Sequence, residues 1–481
     1  MATTISASTT ANTAFNVVPD TSGSLAFQTG ATPTTALTIS SSQVVTFANS
    51  PTATGGGSQP NSTAYGNGAL GSSNTGDYQT AIGFQALSSN TTGAASTAVG
   101  YGALKANTTG RNQAFGTNAL IANTTGSANT AVGDSALQAN TTANNNTAVG
   151  YQAGYSNTTN TTLTAVGYQA LYANAGDWNS AFGGYSLTAN TSGNNNAALG
   201  VASLASNTTG AYNTAVGRSA LQSNTTASNN TAVGYQALYS NTTNGPNTAM
   251  GWLTGYSNTG SGFIQAFGAK ALTANTTGSY NDAFGYLALG ANTTGSYNTA
   301  MGDQALESST TANNNTAIGY QAGNNISTGS NNLCLGIYSG VDSGTFNITT
   351  QSNIITVGNG SHTNAYIKVA WTVTSDARDK TNINPVSLGL DFVNQLNPVA
   401  YQFVDNRTDK NPVGDVKYGF LAQDILALEG DNPIIIDNKD PDALKYNGES
   451  LVPVLVKAIQ ELNATVTDLQ AKLKAANIAG F

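Results

Sequence analysis

Apolar and polar positions along most of this chain fall in a frame that returns every 17 residues. Seventeen glycines mark it, from Gly66, Gly83 and Gly100 to Gly302, Gly319 and Gly336; fourteen of the sixteen gaps are 17 residues and two are 16. Two residues before each glycine stands Ala, sixteen times, and then Cys334. The residue just before the glycine is apolar or aromatic, as in Ile82, Val99, Phe115, Leu199 and Met250. Three residues after it comes a small side chain, and four after it Leu in thirteen frames and Gly in the other four. Asn-Thr-Thr-Gly and Asn-Thr-Thr-Ala stretches separate the frames and read as turns. A period this short is one small unit stacked on itself. It predicts a short strand and turns per coil, with strands of successive coils paired in parallel about 4.8 Å apart and a rod of roughly 80 Å. The alanines imply a narrow interior, and the Val and Leu columns are expected to supply burial of about 2 kcal/mol per side chain. So thin a coil is expected to need neighbouring chains as well as neighbouring coils to hide its apolar face.

Disorder is the plain alternative for a segment rich in Asn, Thr, Ser and Gly. A disordered chain has no reason to hold Ala, an apolar residue and Gly in register, and it usually carries much charge. Residues 51–340 hold only ten charged side chains. The pattern Asn-Thr-Ala-Val-Gly-x-x-Ala, as at Asn146-Thr147-Ala148-Val149-Gly150, resembles the head repeats of trimeric autotransporter adhesins over roughly residues 60–340, although the repeat here is longer. That resemblance implies a left-handed parallel β-roll wound by three chains.

Net charge is −8, so bulk electrostatics attract neither nucleic acid nor an anionic membrane, and no apolar stretch has the length of a membrane span. The opening Met1-Ala2-Thr3-Thr4-Ile5 has no basic segment or apolar core, so no signal peptide is expected. Cys334 is the single cysteine and sits in the Ala column, which reads as a small buried hydrophobe. His362 is the single histidine, which disfavours a zinc site or a Ser-His-Asp triad; no metal or cofactor is expected. Twenty-five of the 38 formal charges lie in the last 107 residues. This shift divides the chain into an N-terminal segment (1–58), the repeats (59–340), a strand-rich neck (341–374) and a charged C-terminal domain (375–481).

The C-terminal domain opens on Ser375-Asp376-Ala377-Arg378-Asp379-Lys380 and continues through Leu396-Asn397-Pro398-Val399-Ala400-Tyr401 and Tyr418-Gly419-Phe420-Leu421-Ala422-Gln423-Asp424 to a helix from near Leu451. This order of motifs resembles the intramolecular chaperone domain of phage tail spikes and fibres of the endosialidase type. The resemblance implies a domain that trimerises, templates the fibre before it and cuts itself off once, as a single-turnover serine peptidase. On the matching residues it implies Ser375 as nucleophile and Lys380 as general base, with Asp376, Arg378 and Gln423 in support. A serine hydroxyl needs a base, and lysine serves only when neutral. Free lysine titrates near 10.4, and burial with a nearby cation such as Arg378 lowers that value. The expected scissile bond is Thr374–Ser375; the bond on the other side of Ser375 stays open.

Apolar residues at Leu455, Ile459, Leu462, Val466, Leu469 and Leu473 step by four and three, the spacing of a coiled-coil seam. Its residue types lean towards two strands, whereas the family resemblance implies three. In the N-terminal segment, Ala36–Ser40 and Val44–Phe47 are the clearest strands, and the segment serves either as a virion anchor or as a cap on the first coil. Between 51 and 340 the acids are Asp77, Asp134, Asp177, Asp282, Asp303 and Glu307, none at equivalent positions in adjacent coils, which disfavours a two-carboxylate glycosidase. Aromatics just after the glycine (Phe84, Tyr101, Tyr151, Tyr168) are expected to pack against one another rather than on sugar.

The expected fold is mainly β, a trimeric parallel β-roll or solenoid of 17-residue coils followed by a small α+β chaperone domain ending in a coiled-coil helix. The expected role is a phage tail fibre, made in the host cytoplasm and carried on the virion. Its expected partners are two further copies of the chain, tail or baseplate proteins and a host-surface glycan receptor, without nucleic acid or membrane insertion. The rivals are a bacterial surface adhesin, an ice-binding rod and a capsule-degrading spike.

Overall fold

The computed structural model describes residues 16–19, 25–29, 34–39 and 45–47, and 61–476 apart from 72, 342–345, 363–365, 367, 369–374, 405–406, 440 and 442–443. Strands β1 (Asn16–Pro19), β2 (Leu25–Thr29), β3 (Thr34–Ile39) and β4 (Val45–Phe47) form an antiparallel meander. Eighteen strands follow, from β5 (Thr63–Tyr65) to β22 (Ile355–Val357), each paired in parallel with the next. Register is uniform: Thr147, Ala148 and Val149 stand opposite Thr164, Ala165 and Val166, and so along the stack. The expected solenoid of stacked coils is present. It runs one strand beyond residue 340, because the last step, from Leu333 to Ile355, spans an enlarged coil.

Alternation along each three-residue strand decides what is inside. The middle Ala points inward and is fully buried, as at Ala148, Ala215 and Ala300, and the Leu four residues after the glycine joins it, as at Leu104, Leu204 and Leu289. These columns make one continuous core that a single chain closes by itself. This differs from the expectation that a lone chain leaves its alanines uncovered. The column just before the glycine also differs from expectation: it stands on the same outer face as the strand threonines, and Phe115, Val149, Leu199 and Met250 are 37–53 % exposed. A period-two strand with Ala turned in must turn both its neighbours out.

The Leu column has a backbone demand that its composition reflects. Every one of these leucines has a left-handed φ, from Leu137 at 49° to Leu70 at 53°, and the four glycines that replace Leu have φ of 58–75°. Left-handed backbone favours glycine and costs a branched residue about 1–2 kcal/mol, which burial of the Leu side chain offsets. Where Gly takes the place, another aliphatic fills the space. Leu163 reaches towards Gly154, Ile264 towards Gly255, Ile326 towards Gly323 and Ile348 towards Gly340, each with a terminal carbon 3.0–3.6 Å from where a glycine Cβ would stand.

The frame glycines are fixed by two separate constraints. Gly200 has φ of 142°, and a Cβ there would lie 2.5 Å from the carbonyl oxygen of Gly217 in the next coil. A Gly200→Ala change is therefore expected to cost about 2–3 kcal/mol or more, read as a lowered midpoint in thermal unfolding; an unchanged midpoint would refute the packing of coils through these glycines.

Two columns of asparagine run through the interior, both fully buried. In the first, from Asn90 to Asn157 and again from Asn174 to Asn292, each side-chain N–H donates to the side-chain oxygen of the preceding coil at 2.7–3.2 Å. The same amide also donates to a turn carbonyl, as Asn207 Nδ2 does to Gly210 O at 2.9 Å. In the second, the oxygen of one Asn accepts the backbone N–H of the next, as Asn196 Oδ1 accepts from Asn213 N at 3.0 Å. The first ladder breaks where a coil is one residue short: Asn174 donates to Gly176 O instead, and Asn157 Oδ1 meets no donor. Replacing Asn207 by Ala strips Asn190 Oδ1, Asn224 Nδ2 and Gly210 O of a partner each. We expect it to cost about 2–3 kcal/mol, measurable by chemical denaturation of the rod, whereas Ser192→Ala on the exposed turn should stay within about 0.5 kcal/mol.

The aromatic columns pack on themselves as expected. Phe84 stacks on Tyr101 and Tyr151 on Tyr168, both with centroids 5.3 Å apart, on the outer surface.

Beyond the rod, α1 (Leu390–Val393) leads into the antiparallel pair β23 (Pro398–Val404) and β24 (Pro412–Phe420). Helix α2 (Ala422–Glu429), the pair β25 (Ile436–Asp437) and β26 (Lys445–Tyr446), and the 28-residue α3 (Gly448–Ala475) complete the segment. Phe392, Ile425, Ile435, Ile436, Leu451 and Val454 form a second small core. Among the described residues no helix is long and apolar enough to cross a membrane.

Candidate Ser-Lys site at the head of the C-terminal segment

Ser375 and Lys380 are brought together by a single tight turn. Asp376 caps the 3-10 turn Ala377–Asp379, its carboxylate accepting the backbone N–H of Arg378 at 2.9 Å. The N–H of Lys380 then closes the turn on Ala377 O at 3.2 Å. This folds the chain back so that Lys380 Nζ donates to Ser375 Oγ at 2.7 Å. Both residues are exposed.

Electrostatics around the pair differ from the sequence expectation in one respect. The guanidinium of Arg378 is engaged by Asp376, with Nη2 to Oδ2 at 2.5 Å and Nε to Oδ1 at 3.1 Å. That bond, with the backbone N–H of Arg378, holds the Asp376 carboxyl below its ordinary range, and Asp376 in turn raises Arg378. Arg378 is thus spent on its own neighbour and not presented to Lys380 as a free positive charge. Gln423 lies on the exposed side of α2, and among the described residues it makes no hydrogen bond with Ser375 or Lys380. Thr374 lies outside the described residues.

The arrangement has the geometry of a nucleophile beside a candidate base. An amine in water keeps its proton at neutral pH and donates to the hydroxyl, whereas a general base must accept from it. Removing water from the pair is what would release the amine's proton.

Two carboxylates that sequence reasoning did not single out hold the segment behind this turn. Glu429, ending α2, accepts the backbone N–H groups of Ile434, Ile435 and Ile436 at 2.8, 2.7 and 3.0 Å. Glu461 on α3 accepts the N–H of Leu390 at 2.7 Å, which with Lys457 keeps its carboxyl below the ordinary range. No local signal marks either residue, because their partners are backbone groups, in the case of Glu461 71 residues away. The start of α3 packs into the small core through Leu451, Val454 and Ala458, while Leu455, Ile459, Leu462, Val466 and Leu469 stay on the outside, 38–65 % exposed. Among the described residues no group of three or more His, Cys, Asp or Glu side chains could hold a metal ion.

Neither a curated protein nor a solved structure matches this chain. A family model does match, over the stretch that opens at Ser375 and ends just past α2: behind its solenoid of stacked coils, residues 375–431 of the chain match the model of the family described as chaperone of endosialidase.

Proposed function

We propose that the chain is a phage tail fibre, a homotrimer whose rod carries host adhesion and whose C-terminal segment drives trimer folding and then cuts itself free. The observation that carries this reading is the 2.7 Å contact of Lys380 Nζ with Ser375 Oγ at the first residue of the matched family segment. Residues 1–58 join the fibre to tail or baseplate proteins or cap its first coil, and a surface glycan of the host is its receptor. It is made in the host cytoplasm and carried on the virion.

Assembly and chemistry are linked through burial. The seam Leu455–Leu469 on α3 and the outer column just before the frame glycine, as at Ile82, Val149, Leu199 and Met250, are apolar surface that two further copies would cover. Three copies closing over the Ser375 turn exclude water, so that Lys380 loses its proton and accepts that of Ser375 Oγ. The oxygen attacks the carbonyl carbon of Thr374, the Thr374–Ser375 C–N bond breaks, and the proton passes to the new amino group of Ser375. The resulting ester between Ser375 Oγ and the Thr374 carbonyl is hydrolysed by water, giving 1–374 and 375–481. Cleavage thereby reports a completed trimer. Asp376 and Arg378 shape the turn by their mutual bond, and Gln423 joins the site from α2 in the assembled state.

Full-length chain purified after expression should run as two bands on a denaturing gel, and Ser375→Ala and Lys380→Ala as one band each. A slower-cutting variant should release the C-terminal piece about tenfold faster per pH unit below the pKa of its lysine, because the neutral amine is the active form. A pH-independent rate, or two bands from Lys380→Ala, would remove lysine as the base. Sedimentation of the uncut Ser375→Ala chain should give three times 48.7 kDa; a stable monomer would overturn the assembly itself.

A further inference from the structure

One exposed column of the rod has an unusual make-up. It stands five residues before the frame glycines, on left-handed backbone except at Asn61, Arg111 and Pro246, and includes Tyr78, Asn145, Trp178, Asn195, Tyr212, Asn229, Phe263, Tyr280 and Tyr297. Asparagine tolerates that backbone, but aromatic rings gain nothing from it. Where three aromatics follow one another the rings close on themselves: Phe263, Tyr280 and Tyr297 lie parallel within 2°, with centroids 4.9 and 5.0 Å apart. Their faces therefore look along the rod axis, one coil height apart.

Trp178 and Tyr212 occupy the same column with the same backbone, φ 61° and 58°, but are separated by one coil that presents Asn195 instead of a ring. They are 62 % and 63 % exposed, more than any of the three stacked rings. Two coil heights, about 10 Å, separate them along the column, and rings held as the stacked three are held would face each other across that gap. After the thickness of the two rings this leaves roughly 6 Å, the height of a saccharide ring and too much for direct stacking. Asn195, exposed, stands between them in the column, and its side-chain amide makes no hydrogen bond with the described residues. Charge narrows the class of ligand. From residue 162 to 229 the chain holds two charged side chains, Asp177 beside Trp178, and Arg218, which lies in the different column just after a frame glycine. A sugar acid entering the slot would meet a carboxylate and no cation from this column.

We propose that the slot between Trp178 and Tyr212 binds one ring of a neutral hexopyranose chain, stacked between the two aromatics and hydrogen-bonded to the Asn195 amide. This rests on the reading of the rod as a glycan adhesin and fixes where and what it grips. The test is binding of the whole fibre to a printed array carrying neutral gluco-, galacto- and manno-oligosaccharides beside sialylated and uronic-acid oligosaccharides. We expect signal on neutral glycans, a loss of at least tenfold for Trp178→Ala, Tyr212→Ala and Asn195→Ala, retention for Trp178→Phe, and no change for Tyr286→Ala in the column after the glycine. Thermal unfolding of each variant checks the rod. A parent that binds, with the three variants binding equally well or with signal on acidic glycans only, would remove the slot and leave the adhesin reading intact. A parent that binds nothing on the array would remove both.

Discussion

A buried primary amide has two donors and one acceptor to satisfy, and in this rod the inner asparagines meet that demand by repeating. Asn207 gives one N–H to Asn190 and one to the Gly210 carbonyl, and accepts from Asn224. The turn of each coil brings a carbonyl to the interior, where water cannot reach it, so some donor must follow it inside. A stack in which every coil has the same solution lets the donor of one coil satisfy the acceptor of the last. The alanine and leucine columns add burial, but burial alone does not set register. The amide ladders do, since a slip of one residue along a coil would leave a column of amides unpaired.

That constraint explains the chain's tolerance as well as its regularity. Leu163 and Ile264 interrupt the second asparagine column, and each follows a coil in which glycine has replaced the inner leucine. Volume lost at one position is restored by an aliphatic nine residues later. Asn146 Oδ1 still accepts the backbone N–H of Leu163 at 3.0 Å, so the ladder loses a side chain without losing its acceptor's partner. The outer columns are free of these demands and vary accordingly.

The C-terminal segment works on different physics. It has a small core, and two carboxylates tie backbone groups together, Glu429 three consecutive N–H groups just beyond α2 and Glu461 the distant start of α1. The Ser375 turn is local and forms in one chain, whereas the long apolar flank of α3 has no cover within it. On the proposed function this division is the device: the geometry of cleavage is made early, and the dry environment that activates it arrives with assembly.

The 17-residue period, a short strand in each coil and the inward Ala and Leu columns were legible in the sequence, because each follows from spacing and side-chain size at one position. The motif that opens at Ser375 was legible for the same reason, as types and spacing within six residues. Other features depended on the folded coil. Asn-Thr-Thr-Gly is turn chemistry at the local level, and nothing within four residues says that its Asn faces inward to a ladder rather than outward to water. The Val column pattern fits either face until the strand's Ala is turned in, which then turns Val out. Arg378 was legible as a cation, but its bond to Asp376 is a property of the turn. What the sequence determined was periodicity and local type; which side of each coil became the interior was decided by the closure of the coil, since burial there is a relation between residues a whole coil or more apart, and the Asp376–Arg378 pairing was decided by the turn that folds between them.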